Sequence, residues 1–156
     1  MMIQRRLFLV GLAAFAASPV LAQNAAGVTF EKGPLEIVSG GKTHKFMVEF
    51  ADNDQRRTLG LMYRRQMAAD AGMLFDFKRD SPVAMWMRNT LIPLDMLFAD
   101  KTGLITHIHE RAVPMDETTI ESRGVVRAVL ELNGGTVQRL GIKPGDRMVH
   151  AMFPKP

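Results

Sequence analysis

The chain has 156 residues, 47% apolar and 23% charged, which suits one domain with a real core and excludes a disordered chain. It has no cysteine, so disulfides, thiolate metal sites, iron–sulfur clusters and a cysteine nucleophile are all excluded. The formal charge is +4; without Arg5 and Arg6, in a segment expected to be removed, 18 of the 20 basic residues face 16 acidic ones, too even a balance for a nucleic-acid-binding face.

Residues 1–22 read as an export signal. Arg5-Arg6 supplies a positive start, Leu7 to Ala17 an uncharged apolar run, and Val20-Leu21-Ala22 a cleavage site. The run is shorter than the ~20 residues a membrane span needs. Arg5-Arg6-Leu7-Phe8-Leu9 resembles a twin-arginine signal, and the same pair also fits a general secretory one. The mature chain is expected to be periplasmic or secreted, with no stable membrane insertion once the signal is cleaved. Residues 23–33 are polar and Gly-rich and read as a loose leader to a single domain over 34–156.

Leu35 to Val38 and Lys42 to Phe50 alternate around Ser39-Gly40-Gly41, the pattern of a β-hairpin. Asp52 offers a cap to a short helix striped by Leu59 and Met62. Its arginines, Arg56, Arg57, Arg64 and Arg65, fit a solvated face or an anion site. Met73 to Phe77 reads as one strand and Val83 to Arg88 as the next. On the latter, Met85 and Met87 share one face, Trp86 and Arg88 the other. Pro93 breaks the run, and Leu94 to Ala99 resumes it with Asp95 and Leu97 on one face. Leu104 to Val113 places His107 and His109 on one face. Val125 to Leu132 turns Val126, Ala128, Leu130 and Leu132 inward. Thr136 to Leu140 makes one helical turn, and Arg147 to Phe153 closes the domain. The expected class is mainly β with some α+β character: a mostly antiparallel β-sandwich or closed barrel of about seven or eight short strands with one or two short helices.

Three stretches together carry a resemblance: Thr58-Leu59-Gly60-Leu61-Met62-Tyr63-Arg64, Gly72-Met73-Leu74-Phe75-Asp76-Phe77, and Met85-Trp86-Met87-Arg88-Asn89-Thr90 continuing to Ile92-Pro93-Leu94-Asp95. With Val129-Leu130-Glu131, Gly141-Ile142 and Gly145-Asp146 they resemble the uncharacterised family catalogued as domain of unknown function 192. The resemblance spans about residues 35 to 153. It implies a small, mainly β domain, often exported, and no reaction. Position 88 is Arg where the family pattern more often has Lys.

The polar groups of the signature admit three functions. The first is a non-catalytic exported domain that binds a small polar ligand, sugar-like or carboxylate, or an envelope protein, near the Trp86–Asp95 bend. Its candidate residues are Arg64, Trp86, Arg88, Asn89, Thr90 and Asp95. Against it stands a structural role for Asn89 and Asp95 as loop-bracing acceptors. The second is an envelope hydrolase with Asp95 and Glu131 as a catalytic acid/base pair, which needs the two carboxyls ~5–10 Å apart across one bond. No nucleophile elbow or zinc-protease motif accompanies it. The third is a soft-metal site: Met148, His150 and Met152 on one face of the last strand suit copper(I), and His107 and His109 form a weaker pair. Methionines on a strand face are more often core. No cofactor is expected.

Overall fold

A computed structural model describes residues 27–155; the expected signal and most of the expected leader lie outside the described residues. Seven strands and two short helices follow in the order β1 (Lys32–Ser39), β2 (Lys42–Ala51), α1 (Asp54–Leu59), β3 (Ala71–Met85), β4 (Leu94–Ala99), β5 (Ile105–Ala112), β6 (Ile120–Asn133), α2 (Thr136–Leu140) and β7 (Arg147–Val149). They form one sheet in the order β5-β4-β6-β3-β2-β1-β7. All neighbours are antiparallel except β2 and β3, which run parallel because the segment containing α1 carries the chain across between them. The sheet curls into a half-barrel. Its two edges meet at one end, where Leu104, just before β5, bridges Arg147 of β7.

Both faces of the sheet are covered, so the alternating residues divide between two cores. Inside the curl, Leu35, Ile37, Phe46, Val48, Leu74, Leu97, Ile105, Leu130, Leu132 and Met148 pack with Val137 of α2. On the outer face, Met73, Phe75, Leu94, Met96, Phe98 and Val129 are roofed by Leu61, Met87 and Ile92 from the connections. The segments after α1 and after β3 therefore act as a lid over a sheet face that would otherwise meet water.

Local details differ from the sequence reading where long-range partners decide. β1 begins at Lys32, within the span read as leader, and Val28 before it is buried. The α1 cap is Asn53, whose Oδ1 accepts from Arg56 N at 2.9 Å; Asp52 instead pairs with the Arg56 guanidinium at 2.7 Å. The strands expected at Met73–Phe77 and Val83–Arg88 are one strand that ends at Met85, because β6 is long enough to pair with both halves. Residues 77–80 bulge out between Asp76↔Ala128 and Ser81↔Val126. β7 stops at Val149, so Met148, His150 and Met152 do not alternate along one strand face as expected. Met148 is core, while His150 Nδ1 accepts from Met152 N at 3.2 Å in the turn that follows.

Candidate functional site

The signature residues divide between the two faces of the sheet. Asp95 lies directly opposite Leu132, and Met96 opposite Glu131. Residues opposite one another share a face and successive residues alternate, so the Asp95 and Glu131 side chains point to opposite sides. An acid/base pair flanking one bond is thus excluded by the register.

Asp95 is fully buried inside the curl. Its Oδ1 accepts from Arg111 N at 2.9 Å and Gly135 N at 3.0 Å, and Oδ2 accepts from Val137 N at 2.8 Å. α2 has Gly135 at its N-cap and no side-chain cap of its own. Asp95 supplies that cap from across the sheet, satisfying donors that the helix start leaves open. Arg64 and Arg88, expected in one site with Asp95, are not among its partners.

Glu131 is buried on the outer face, 4% exposed. Among the described residues nothing hydrogen-bonds its carboxyl. Burial penalises its charge and the nearby Arg64 guanidinium only partly offsets this, so its pKa is pushed up to about 8. It belongs to a row across five strands: Glu49 (β2), Met73 (β3), Glu131 (β6), Met96 (β4) and His109 (β5). Glu49, two strands away and thus about 10 Å off, shows the opposite behaviour. Burial would raise its carboxyl, but the Arg64 and Lys32 partners outweigh this and hold it below the usual range. The Arg64 guanidinium is committed to Glu49 and lies 5.6 Å from the Phe30 ring centre.

Glu131 lines a crevice of about 30 Å³ with Arg57, Thr58, Met62, Met85, Trp86, Arg88 and Thr90. Each wall has a sequence reason. Gly60 ends α1 with φ 48°, and a Cβ there would stand 3.2 Å from the Phe75 ring, so only glycine turns the chain over this face. Asn89 takes φ 55°, a left-handed conformation that Asn tolerates. Its carbonyl accepts from Tyr63 N at 2.8 Å and its Nδ2 lies 3.9 Å from Met62 Sδ, which staples the two lid segments together. Thr90 is buried; its carbonyl accepts from Met115 N at 3.1 Å. Trp86 is 51% exposed, and Arg88 stands 5.9 Å over its ring with no carboxylate partner among the described residues. Arg57, the other cation lining the crevice, is held by Asp54 and by the Asp76 carbonyl at 2.7 Å.

Of the sequence candidates, Trp86, Arg88, Thr90 and Glu131 line the crevice, Arg64 and Asn89 support it from behind, and Asp95 is on the other side of the sheet. The sequence places Arg57 among four arginines that fit a solvated face or an anion site, and Thr58 and Met85 in the stretches that carry the resemblance, without joining them to Glu131. Only the fold of the lid brings them in, and Glu49 as the Arg64 partner follows from the parallel β2–β3 pairing. His107 and His109 lie on the outer face at the far edge and line a separate cavity of about 430 Å³ with Asp116, Glu121 and Arg123. His107 stacks on Phe98 at 5.5 Å; its burial, then Arg123 and His109, lower its pKa. No group of three or more His, Asp or Glu among the described residues is placed to hold a metal ion.

The profile of the DUF192 family, described as "Uncharacterized ACR", matches residues 35–150. Among solved structures, a candidate transcription regulator from Sinorhizobium meliloti 1021 is 53% identical with a TM-score of 0.79, over 81% of this chain and 98% of that one. A protein of unknown function from Novosphingobium aromaticivorans DSM 12444 is 36% identical with a TM-score of 0.75, over 92% of this chain and all of that one. No curated protein matches.

Proposed function

The chain belongs to the DUF192 family, whose name carries no activity, and from its own residues we propose that it is an exported, non-catalytic domain that binds a small polar ligand in the crevice beneath Trp86. The observation that carries this reading is Glu131. A carboxyl on a residue 4% exposed, with no hydrogen-bond partner among the described residues, is costly, and a functional site is one setting in which folded proteins keep such a group. Here it borders an opening rather than solid core. Held neutral at pH 7, it offers an O–H to a ligand acceptor. Trp86 supplies an accessible ring and Arg88 an uncommitted charge at the rim. The absence of a second carboxyl beside Glu131 on the crevice wall argues for binding over hydrolysis. Export rests on residues 1–22 alone.

A thermal-shift panel of small sugars, acids and amides tests the binding reading. A ligand that raises the melting temperature of the native chain and has no effect on Glu131→Leu supports it. Hits that act equally on native chain and variant overturn it. Export is tested by cell fractionation with N-terminal sequencing: protein outside the cytoplasm beginning at Gln23 supports it, and protein confined to the cytoplasm with Met1 in place would sink that part.

A further inference from the structure

The crevice dimensions narrow the class of ligand, an inference that rests on the binding reading above. A space of about 30 Å³ takes one or two water-sized groups and no sugar ring. A ligand can place only its head there, and its body must lie in the adjoining groove of about 300 Å³. The two spaces border each other: Arg57, Thr58, Phe75, Met85 and Trp86 line both. Phe77 adds a second partly open ring, with the Arg57 guanidinium 5.9 Å from its centre. Walls of this kind suit a flat apolar body.

The charged groups around Glu131 decide the head. Facing it are Arg57 from α1, Arg64 from the segment after α1, and Arg88 from the segment after β3. Along its row lie Glu49 on β2 and, beyond Met96, His109 on β5. Arg57 and Arg64 already hold Asp54 and Glu49, which leaves one O–H donor and one cation unused. An ammonium head would enter among three guanidinium groups. A neutral hydroxyl would leave Arg88 without a counter-charge. A carboxylate satisfies both, accepting the Glu131 O–H on one oxygen and the Arg88 guanidinium on the other.

We propose that the crevice and groove bind a small aromatic monocarboxylate, its ring against Trp86 and Phe77 and its carboxylate between Glu131 and Arg88. Binding then needs an ionised ligand and a protonated Glu131. It is strongest from about pH 5 and falls as the pH rises through about 8, where two carboxylates would face each other.

Trp86 is the only tryptophan, so its emission reports on the groove directly. The purified full chain is titrated with phenylacetate, phenylacetamide and benzylamine, with calorimetry for the variants and circular dichroism to confirm that each is folded. Phenylacetate should shift Trp86 emission saturably, while the amide and amine bind about tenfold more weakly or worse. Arg88→Gln should cost phenylacetate a similar factor and Arg88→Lys less. Glu131→Gln, which keeps a donor, should still bind and should lose the decline above pH 8. Equal binding of acid and amide, or wild-type affinity in Arg88→Gln, overturns the carboxylate assignment. If the amide, the amine or a sugar binds in a Glu131-dependent way and phenylacetate does not, the crevice remains a site and the carboxylate falls. If no probe moves Trp86, both readings fall.

Discussion

Asp95 and Glu131 are carboxyls of neighbouring strands, each buried, and their surroundings have little else in common. Asp95 faces the inside of the curl and accepts three backbone N–H groups from β5, the turn before α2 and α2 itself. Glu131 faces the outer side, has no hydrogen-bond partner among the described residues, and borders a crevice. The inner carboxyl is fully used in joining elements distant in sequence. The outer one is left with its hydrogen-bonding capacity unspent. Since β4 and β6 are adjacent, a single residue of register separates architecture from a candidate site.

The sharpest way to break this contrast is to remove Asp95. Asp95→Ala strands three buried donors and should destabilise the domain by on the order of 3–5 kcal/mol in urea denaturation. A loss below about 1 kcal/mol would show that α2 does not depend on it.

Glu131 should instead reveal itself through pH. Its folded pKa of about 8 lies above the unfolded value near 4.5, so the folded state binds the extra proton. The associated stability is full below pH 4.5, falls as the pH rises, and is gone above about 8, a change of several kcal/mol by linkage. Glu131→Gln should flatten that slope between pH 5 and 9. An unchanged slope would mean that Glu131 is ionised in the fold.

The Arg64 link comes next. Arg64→Met leaves Glu49 with Lys32 alone and takes from Glu131 the charge that partly offsets its burial. It should cost about 1–3 kcal/mol and raise the Glu131 titration midpoint measured by carbon NMR. A midpoint that stays in place would uncouple the two carboxyls.

Asp76 offers an acid-side control. Burial would raise its carboxyl, but hydrogen bonds from Arg127 and Lys78 outweigh this and hold it at about 2. Its stability contribution is present above the unfolded value near 4 and is lost as the pH falls toward 2. Asp76→Asn should remove that acid limb and leave the alkaline one intact. The smallest effect belongs to Trp86→Ala. Half-exposed, it should change stability by about 0.5 kcal/mol while altering any ligand response.

Most strands were legible because alternation is local. The Asp95/Leu97 face and the inward Ala128, Leu130 and Leu132 read directly from spacing, and together they already place Glu131 outward. What spacing does not carry is that the outer face is also buried. That depends on residues 60–70 and 86–93 folding back over it, which Gly60 and Asn89 permit through positive φ. The Asp95–Glu131 pairing failed for the same reason: facing depends on how β4 aligns with β6, a contact between residues 29 to 39 apart in sequence. The helix cap moved by one residue because Asp52 and Asn53 are both competent acceptors, and Arg56 drew Asp52 into an ion pair. The soft-metal set dissolved because β7 pairs with β1 over only Glu36 to Val38 and then turns.

That short pairing has a consequence for how the chain is made. The first strand is the platform for the last, and the last meets Leu104 to join the two edges of the sheet. Sheet closure therefore waits until Arg147 to Val149 are available, and the pairing of residues more than a hundred positions apart slows folding. A chain still emerging from the ribosome has β1 without its outer neighbour. Truncation before Arg147 should leave an exposed strand edge and a chain prone to aggregation. For this domain, the first strand gains its outer neighbour only when the last strand arrives.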